Sequence, residues 1–77
     1  PLRLVHHPSG GWSVVDAAAG ESGQAQPLEP VYPDELLDVA LRRLARAPLV
    51  PVISRLDESR LLGIVTYDDV RRAYGLG

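Results

Sequence analysis

Gly63-Ile64-Val65-Thr66-Tyr67-Asp68-Asp69-Val70-Arg71-Arg72-Ala73-Tyr74 is the stretch on which the fold turns. Leu61 to Thr66 reads as a strand, and Gly63 inside it marks a bulge or a backbone that something approaches closely. Tyr67 to Tyr74 reads as a short helix, with Gly75 suited to its C-terminal stop. At the joint, Thr66-x-x-Asp69 has the spacing of a capping box, in which hydroxyl and carboxylate satisfy the orphan N–H groups of a helix start. Such a cap is worth roughly 0.5–2 kcal/mol with no ligand present.

Upstream, Leu49-Val50-Pro51-Val52-Ile53 is a short apolar run that reads as a buried strand. Pro51 has no N–H for a ladder, so it belongs at an edge or a bend. A polar turn from Ser54 to Ser59 separates the two strands. Residues 31–47 carry the clearest helix, expected over about 34–46. Leu37, Ala40, Leu41 and Leu44 make one apolar face. Pro33 suits the first turn. Asp34, Glu35 and Asp38 near the start and Arg42, Arg43 and Arg46 near the end complement the helix dipole, and Pro48 stops the helix. From residue 31 the order is strand, helix, strand, strand, helix. This predicts an α+β unit in which a small mixed sheet is covered on one side by two helices.

The front of the chain is simpler. Residues 2–16 read as a hairpin around Pro8-Ser9-Gly10-Gly11, with Trp12 to Val15 as its second strand. Ala17-Ala18-Ala19 could begin a helix, but Gly20 follows at once. Residues 20–30 lack periodicity and are rich in linker residues, so a surface connection is expected there. The expected organisation is a β-hairpin at 1–20, a linker at 21–30 and a complete motif at 31–77.

At 77 residues the chain is one small domain, which buries only about 60% of its unfolded surface. It has no cysteine for a disulfide staple. Stability is therefore expected to draw on a partner surface. The chain opens on Pro1 and contains no methionine, so it reads as a fragment of a longer protein. A net charge of −2, with eight arginines balanced by ten acids, gives no basic stripe for nucleic acid. No apolar run approaches the ~18 residues that span a bilayer, and a soluble, cytoplasmic module is expected.

No GxSxG, HExxH or Gly-rich phosphate loop is present, and no catalytic residue is assigned. His6 and His7 are adjacent on a strand, so they point to opposite faces and are poorly placed to chelate one metal. Asp68 and Asp69 are neighbours on a helix and do not face each other. No metal site and no enzymatic function are expected.

The run from Gly63 to Asp69 resembles the signature of the cystathionine-β-synthase-type (CBS) domain, Gly-hydrophobic-hydrophobic-Ser/Thr-x-x-Asp. Val31-Tyr32-Pro33-Asp34 with Leu37 and Ala40-Leu41 looks like that family's opening strand and first helix. Leu49 to Ile53 is similar to its "Pro-Val-hydrophobic" strand. Trp12 to Asp16 looks like the second strand of a preceding motif whose opening strand and first helix are absent.

The resemblance implies a regulatory module in which paired motifs form a homodimer and hold an adenosine nucleotide, AMP, ATP or S-adenosylmethionine, in the cleft between them. No cofactor is required. Thr66 and Asp69 would grip the ribose and phosphate, and Val31, Tyr32, Val50 and Pro51 would line the adenine. The helix start after Thr66 would offer N–H groups and positive dipole to the phosphate. The alternative is a ligand-free structural dimerisation domain, with Thr66 and Asp69 serving only as a cap. A finer resemblance joins Val52 to Gly63, with Arg72-Ala73-Tyr74, to the cytoplasmic CBS region of prokaryotic chloride-channel-family transporters. It implies an attached membrane domain, and partners for Trp12 and for the Leu/Val faces that lie outside this chain. The all-arginine basic set and abundant Ala, Gly, Val and Leu resemble the product of a GC-rich bacterial genome.

Overall fold

The structure is a computed structural model that describes residues 2–16, 18, 24–35 and 37–75. The chain begins with an antiparallel hairpin, β1 (Leu2–His6) and β2 (Trp12–Asp16), in the register Leu4 opposite Val14. The turn closes through His7 and Gly11, whose backbones bond at 3.0 Å. Gly10 and Gly11 both have positive φ, 101° and 96°, which a side chain at either position would resist.

The expected linker is partly a strand. β3 (Gln26–Leu28) pairs antiparallel with β2, setting Trp12 opposite Leu28. The absence of periodicity hid it because three residues are too few to show an alternation. Pro27 is tolerated because β3 is an edge strand, with no neighbour on its far side among the described residues. Residues 21–23 of the expected connection, and Ala17 and Ala19 of the alanine run, lie outside the described residues.

The helix α1 (Leu37–Leu44) is shorter at both ends than the expected 34–46. Pro33 uses its fixed φ in a β-turn instead of a helical turn: the Glu35 N–H donates to the Tyr32 carbonyl at 3.0 Å. The Glu35 carboxylate accepts from the Tyr32 N–H at 3.0 Å and tightens the same turn. At the other end the Arg46 N–H reaches back to the Arg43 carbonyl, and the Arg46 carbonyl accepts from the Gln26 side chain at 2.7 Å. That bond ties β3 to the end of α1.

β4 (Leu49–Ile53) and β5 (Leu61–Thr66) form a second antiparallel sheet, with Leu49 opposite Thr66 and Val52 opposite Gly63. The register then slips to pair Ile53 with Leu61, leaving Leu62 as the extra residue of a bulge beside Gly63. Nothing lies within 4 Å of where a Gly63 Cβ would stand, so no close approach within this chain explains the glycine. The final helix, α2 (Tyr67–Ala73), stops one residue short of the expected Tyr74. Gly75 follows with φ 67° and donates to the Arg72 carbonyl.

The expected opening strand shrinks to one parallel bridge, Val31 beside Val52. The Val31 N–H donates to the Pro51 carbonyl and its carbonyl accepts from the Ile53 N–H, both at 2.9 Å. Extending that ladder backward needs an N–H on Pro51, and extending it forward needs one on Pro33; neither has one. Pro51 is buried, but β4 is an edge strand of a two-stranded sheet, as expected, and the proline's missing donor faces away from β5 toward the single bridge. The arrangement is mixed only through this one residue.

Leu49 and Ile53 pack with Trp12, Val14 and Leu28, so the N-terminal sheet and β4 share a core. Alternation turns Val50 away from that cluster, toward α1. Trp12 is 8% exposed, and its indole N–H donates to the Glu58 carbonyl at 3.1 Å. The expectation that its partners lie outside this chain is therefore overturned: they are the facing strand and the β4–β5 turn. The chain measures only 16 Å in its thinnest direction, room for about two layers at the usual ~10 Å spacing. That thinness leaves Leu62, Ile64 and Tyr67 about half exposed.

Candidate functional site

Thr66 ends β5 and is the N-cap of α2. Asp69 Oδ2 accepts from the Thr66 N–H at 2.8 Å and from its hydroxyl at 3.0 Å. Thr66 Oγ1 accepts in return from the Asp69 N–H at 3.3 Å. The Arg72 guanidinium holds Asp69 Oδ1 at 2.7 Å. The Thr66 backbone and hydroxyl donors, then Arg72, hold the Asp69 carboxyl below the usual carboxylate value.

The acceptor count shows what remains. A carboxylate offers about four lone-pair positions and a hydroxyl two. Three of the former and one of the latter are used. The pair can still accept from two more donors.

The other expected positions are distributed along β4. Val31, Val50 and Pro51 are all buried within the chain. Thr66 faces Leu49, one rung from Val50 and its partner Val65, so these residues lie at one end of the sheet. Val31 is level with Val52, and Tyr32 continues toward the opposite end. Tyr32 is also engaged locally. Its hydroxyl donates to the Glu58 carboxylate, which raises its pKa, and the Arg55 guanidinium lies over its ring at 4.1 Å from the centroid. Arg55 in turn binds Asp34 at 2.8 Å and holds that carboxyl low. The 31–35 segment is thus latched to the β4–β5 turn.

A cavity of about 670 Å³ opens between the β3 end, α1 and the start of β4. Its walls include Glu29, Arg42, Arg43, Arg46, Leu49 and Val50. Of the six expected ligand-binding residues only Val50 lines it; Val31, Tyr32, Pro51, Thr66 and Asp69 do not. The arginines were legible in the sequence only as partners of the helix dipole. The unread signal was the clustering of Arg42 and Arg46 around the helix end: Arg42 lies on α1 and Arg46 in the turn just after it, and both line the cavity. Arg43 is already committed: it donates to the Pro30 carbonyl at 2.8 Å and pairs with Glu29 at 3.4 Å and Glu35 at 3.8 Å.

The histidines are used structurally. The His6 ring lies 4.8 Å from that of Trp12, and His7 Nε2 bonds Ser13 Oγ at 2.7 Å. Ser13 is 4% exposed, closed to any substrate. Among the described residues no cluster of His, Cys, Asp or Glu could hold a metal ion, and no helix is long and apolar enough to cross a membrane.

The sequence profile of the CBS domain matches residues 25–76, which includes β3, the latch, both helices and the Thr66–Asp69 box. The chain belongs to the CBS domain family. No curated protein and no solved structure matches it. CBS domains generally serve regulatory and ligand-binding roles, are not catalytic modules, and commonly pair and bind adenine nucleotides. In this CBS domain the profile begins at residue 25, within the segment first read as linker and just before β3.

Proposed function

We propose that this CBS domain is a regulatory module that binds an adenosine nucleotide and pairs with a second copy of itself to control an attached protein. One relationship carries the reading. Thr66 stands opposite Leu49, Leu49 walls the cavity, and the Thr66–Asp69 pair keeps two acceptor positions open. A ribose would donate both hydroxyls to that pair, with the rest of the nucleotide running toward Val50 and the cavity. A ligand that prefers one of two arrangements of the pair would shift their balance, and that difference is what could act on the attached protein.

Melting the chain with and without AMP, ATP or S-adenosylmethionine tests the proposal. At a hundred times Kd the stabilisation should approach about 2.7 kcal/mol. No shift with any adenine compound would count against it.

A second reading, a ligand-free dimerisation domain, is favoured by the half-exposed Leu62, Ile64 and Tyr67. On that reading the apolar surface packs a second copy and the capping box has no other task. The likeness of Val52 to Gly63 to the chloride-channel-family CBS region supports an anion channel or transporter as the attached protein, with this domain at its cytosolic face.

A further inference from the structure

We propose that Arg42 and Arg46 form an anion subsite for a polyphosphate chain, so that this domain selects a nucleoside triphosphate over a monophosphate and disfavours S-adenosylmethionine. The nucleoside half of this inference rests on the function proposed above; the anion half stands on the cavity itself.

The residues that line the cavity include one acid, Glu29, and three arginines. Glu29 and Arg43 hold each other at 3.4 Å, so their charges cancel. Arg42 and Arg46 have no hydrogen bond or ion pair from their guanidinium groups among the described residues, and both are exposed. Asp38, one turn earlier on α1, does not line the cavity. Two uncompensated positive charges therefore remain. Arg42 on α1 and Arg46 in the turn that follows line the same cavity, so a chain of linked phosphoryl groups within it can meet both.

The helix end opposes an anion with about half a negative charge. Two whole guanidinium charges outweigh it. A second fact points the same way. α2 has only seven residues, and the Asp69 N–H at its start is taken by Thr66 Oγ1. The phosphate site expected there has lost a donor, while the arginines of the cavity wall have donors to spare. S-adenosylmethionine carries a sulfonium cation and would meet like charge.

Isothermal titration of the 77-residue chain with inorganic tripolyphosphate, ATP, AMP, adenosine and S-adenosylmethionine tests this. In Arg42→Gln/Arg46→Gln, tripolyphosphate and ATP should each bind about tenfold more weakly or worse, as expected for losing hydrogen bonds to charged groups. Adenosine should be unaffected, and an unchanged melting temperature would show the variant folded. Arg60→Gln, an exposed arginine of the β4–β5 turn, is the control for bulk charge. The subsite is overturned if tripolyphosphate fails to bind wild type, if Arg60→Gln weakens it equally, or if S-adenosylmethionine outcompetes ATP. Tripolyphosphate held by the arginine pair without any adenosine binding would uphold the subsite and sink the nucleotide reading instead.

Discussion

Thr66 and Asp69 hold each other from both directions: the Asp69 carboxylate accepts the Thr66 N–H and hydroxyl, and the Thr66 oxygen accepts the Asp69 N–H. A residue that both caps a helix and grips a ligand must show two separable losses when removed. Thr66→Ala should cost about 0.5–2 kcal/mol in urea unfolding without ligand, the ordinary worth of an N-cap. On the nucleotide reading it should also weaken adenosine binding, which Thr66→Ser restores together with the cap. A stability loss with unchanged nucleotide affinity would assign the threonine to the helix alone.

Acid should act on the same pair. The folded-state pKa of Asp69 lies below the ordinary aspartate value of 3.8, because the bonds from Thr66 favour the ionised form. A depressed carboxyl contributes stability above its unfolded pKa and loses it as pH falls through the folded one. The gap in melting temperature between wild type and Asp69→Asn should therefore be full above about pH 4 and narrow steadily below it. Asp34 and Asp57 are depressed too, but they are common to both proteins and drop out of the difference. A gap that stays constant down to pH 2 would show that Asp69 contributes shape and not charge.

Alkali should open the latch. The Tyr32 phenol donates to Glu58, which raises its pKa above 10.0. Its contribution is complete below the unfolded value and disappears as pH rises through the folded one. In a Tyr67→Phe/Tyr74→Phe background Tyr32 is the only phenol, so phenolate absorbance reports it alone. Glu58→Gln should lower the titration midpoint. An identical midpoint in both proteins would mean that the bond to Glu58 is not kept in solution.

How much of this was legible beforehand depended on the range of the signal. The box at Thr66 and Asp69, the glycine stop after α2 and the two-glycine turn are local chemistry, and each could be read from three or four residues. The apolar run of β4 was legible because burial demands it; that of β5 was legible from its composition alone, since Leu61, Leu62 and Ile64 stay exposed. β3 was not: its identity lies in Leu28 meeting Trp12 across the hairpin, a contact absent from any window of neighbouring residues. The latch of Tyr32, Arg55 and Glu58 joins positions 26 residues apart and left no pattern in the sequence. Arg42 and Arg46 were visible, but a helix dipole explained them equally well until the cavity wall appeared.

Trp12 tests whether the N-terminal strands belong to the core. It is buried against Leu28, Leu49 and Ile53 and bonds the Glu58 carbonyl. Trp12→Ala should cost about 3–5 kcal/mol, a large share of the ~4–12 kcal/mol expected of a chain this long. Trp12→Phe keeps most of the packing and drops the N–H donor, so it should cost about 1 kcal/mol for the hydrogen bond plus a smaller packing loss. Equal effects of the two substitutions in guanidinium unfolding would show that the indole does not hold the two sheets together.

Ile64 separates pairing from folding. It faces Pro51 across the ladder, yet is 49% exposed, so replacing it removes little of the chain's own core. If a second copy covers the β5 surface, Ile64→Asp buries a charge at that contact without a partner, a penalty of several kcal/mol. The pair should then dissociate in sedimentation, while circular dichroism still reports a folded chain. Leu56→Asp is the matched control, because Leu56 stands 99% exposed on the β4–β5 turn, away from β5 itself. Dissociation by both substitutions would point to general repulsion. Dissociation by neither would show that the β5 surface is not where the copies meet.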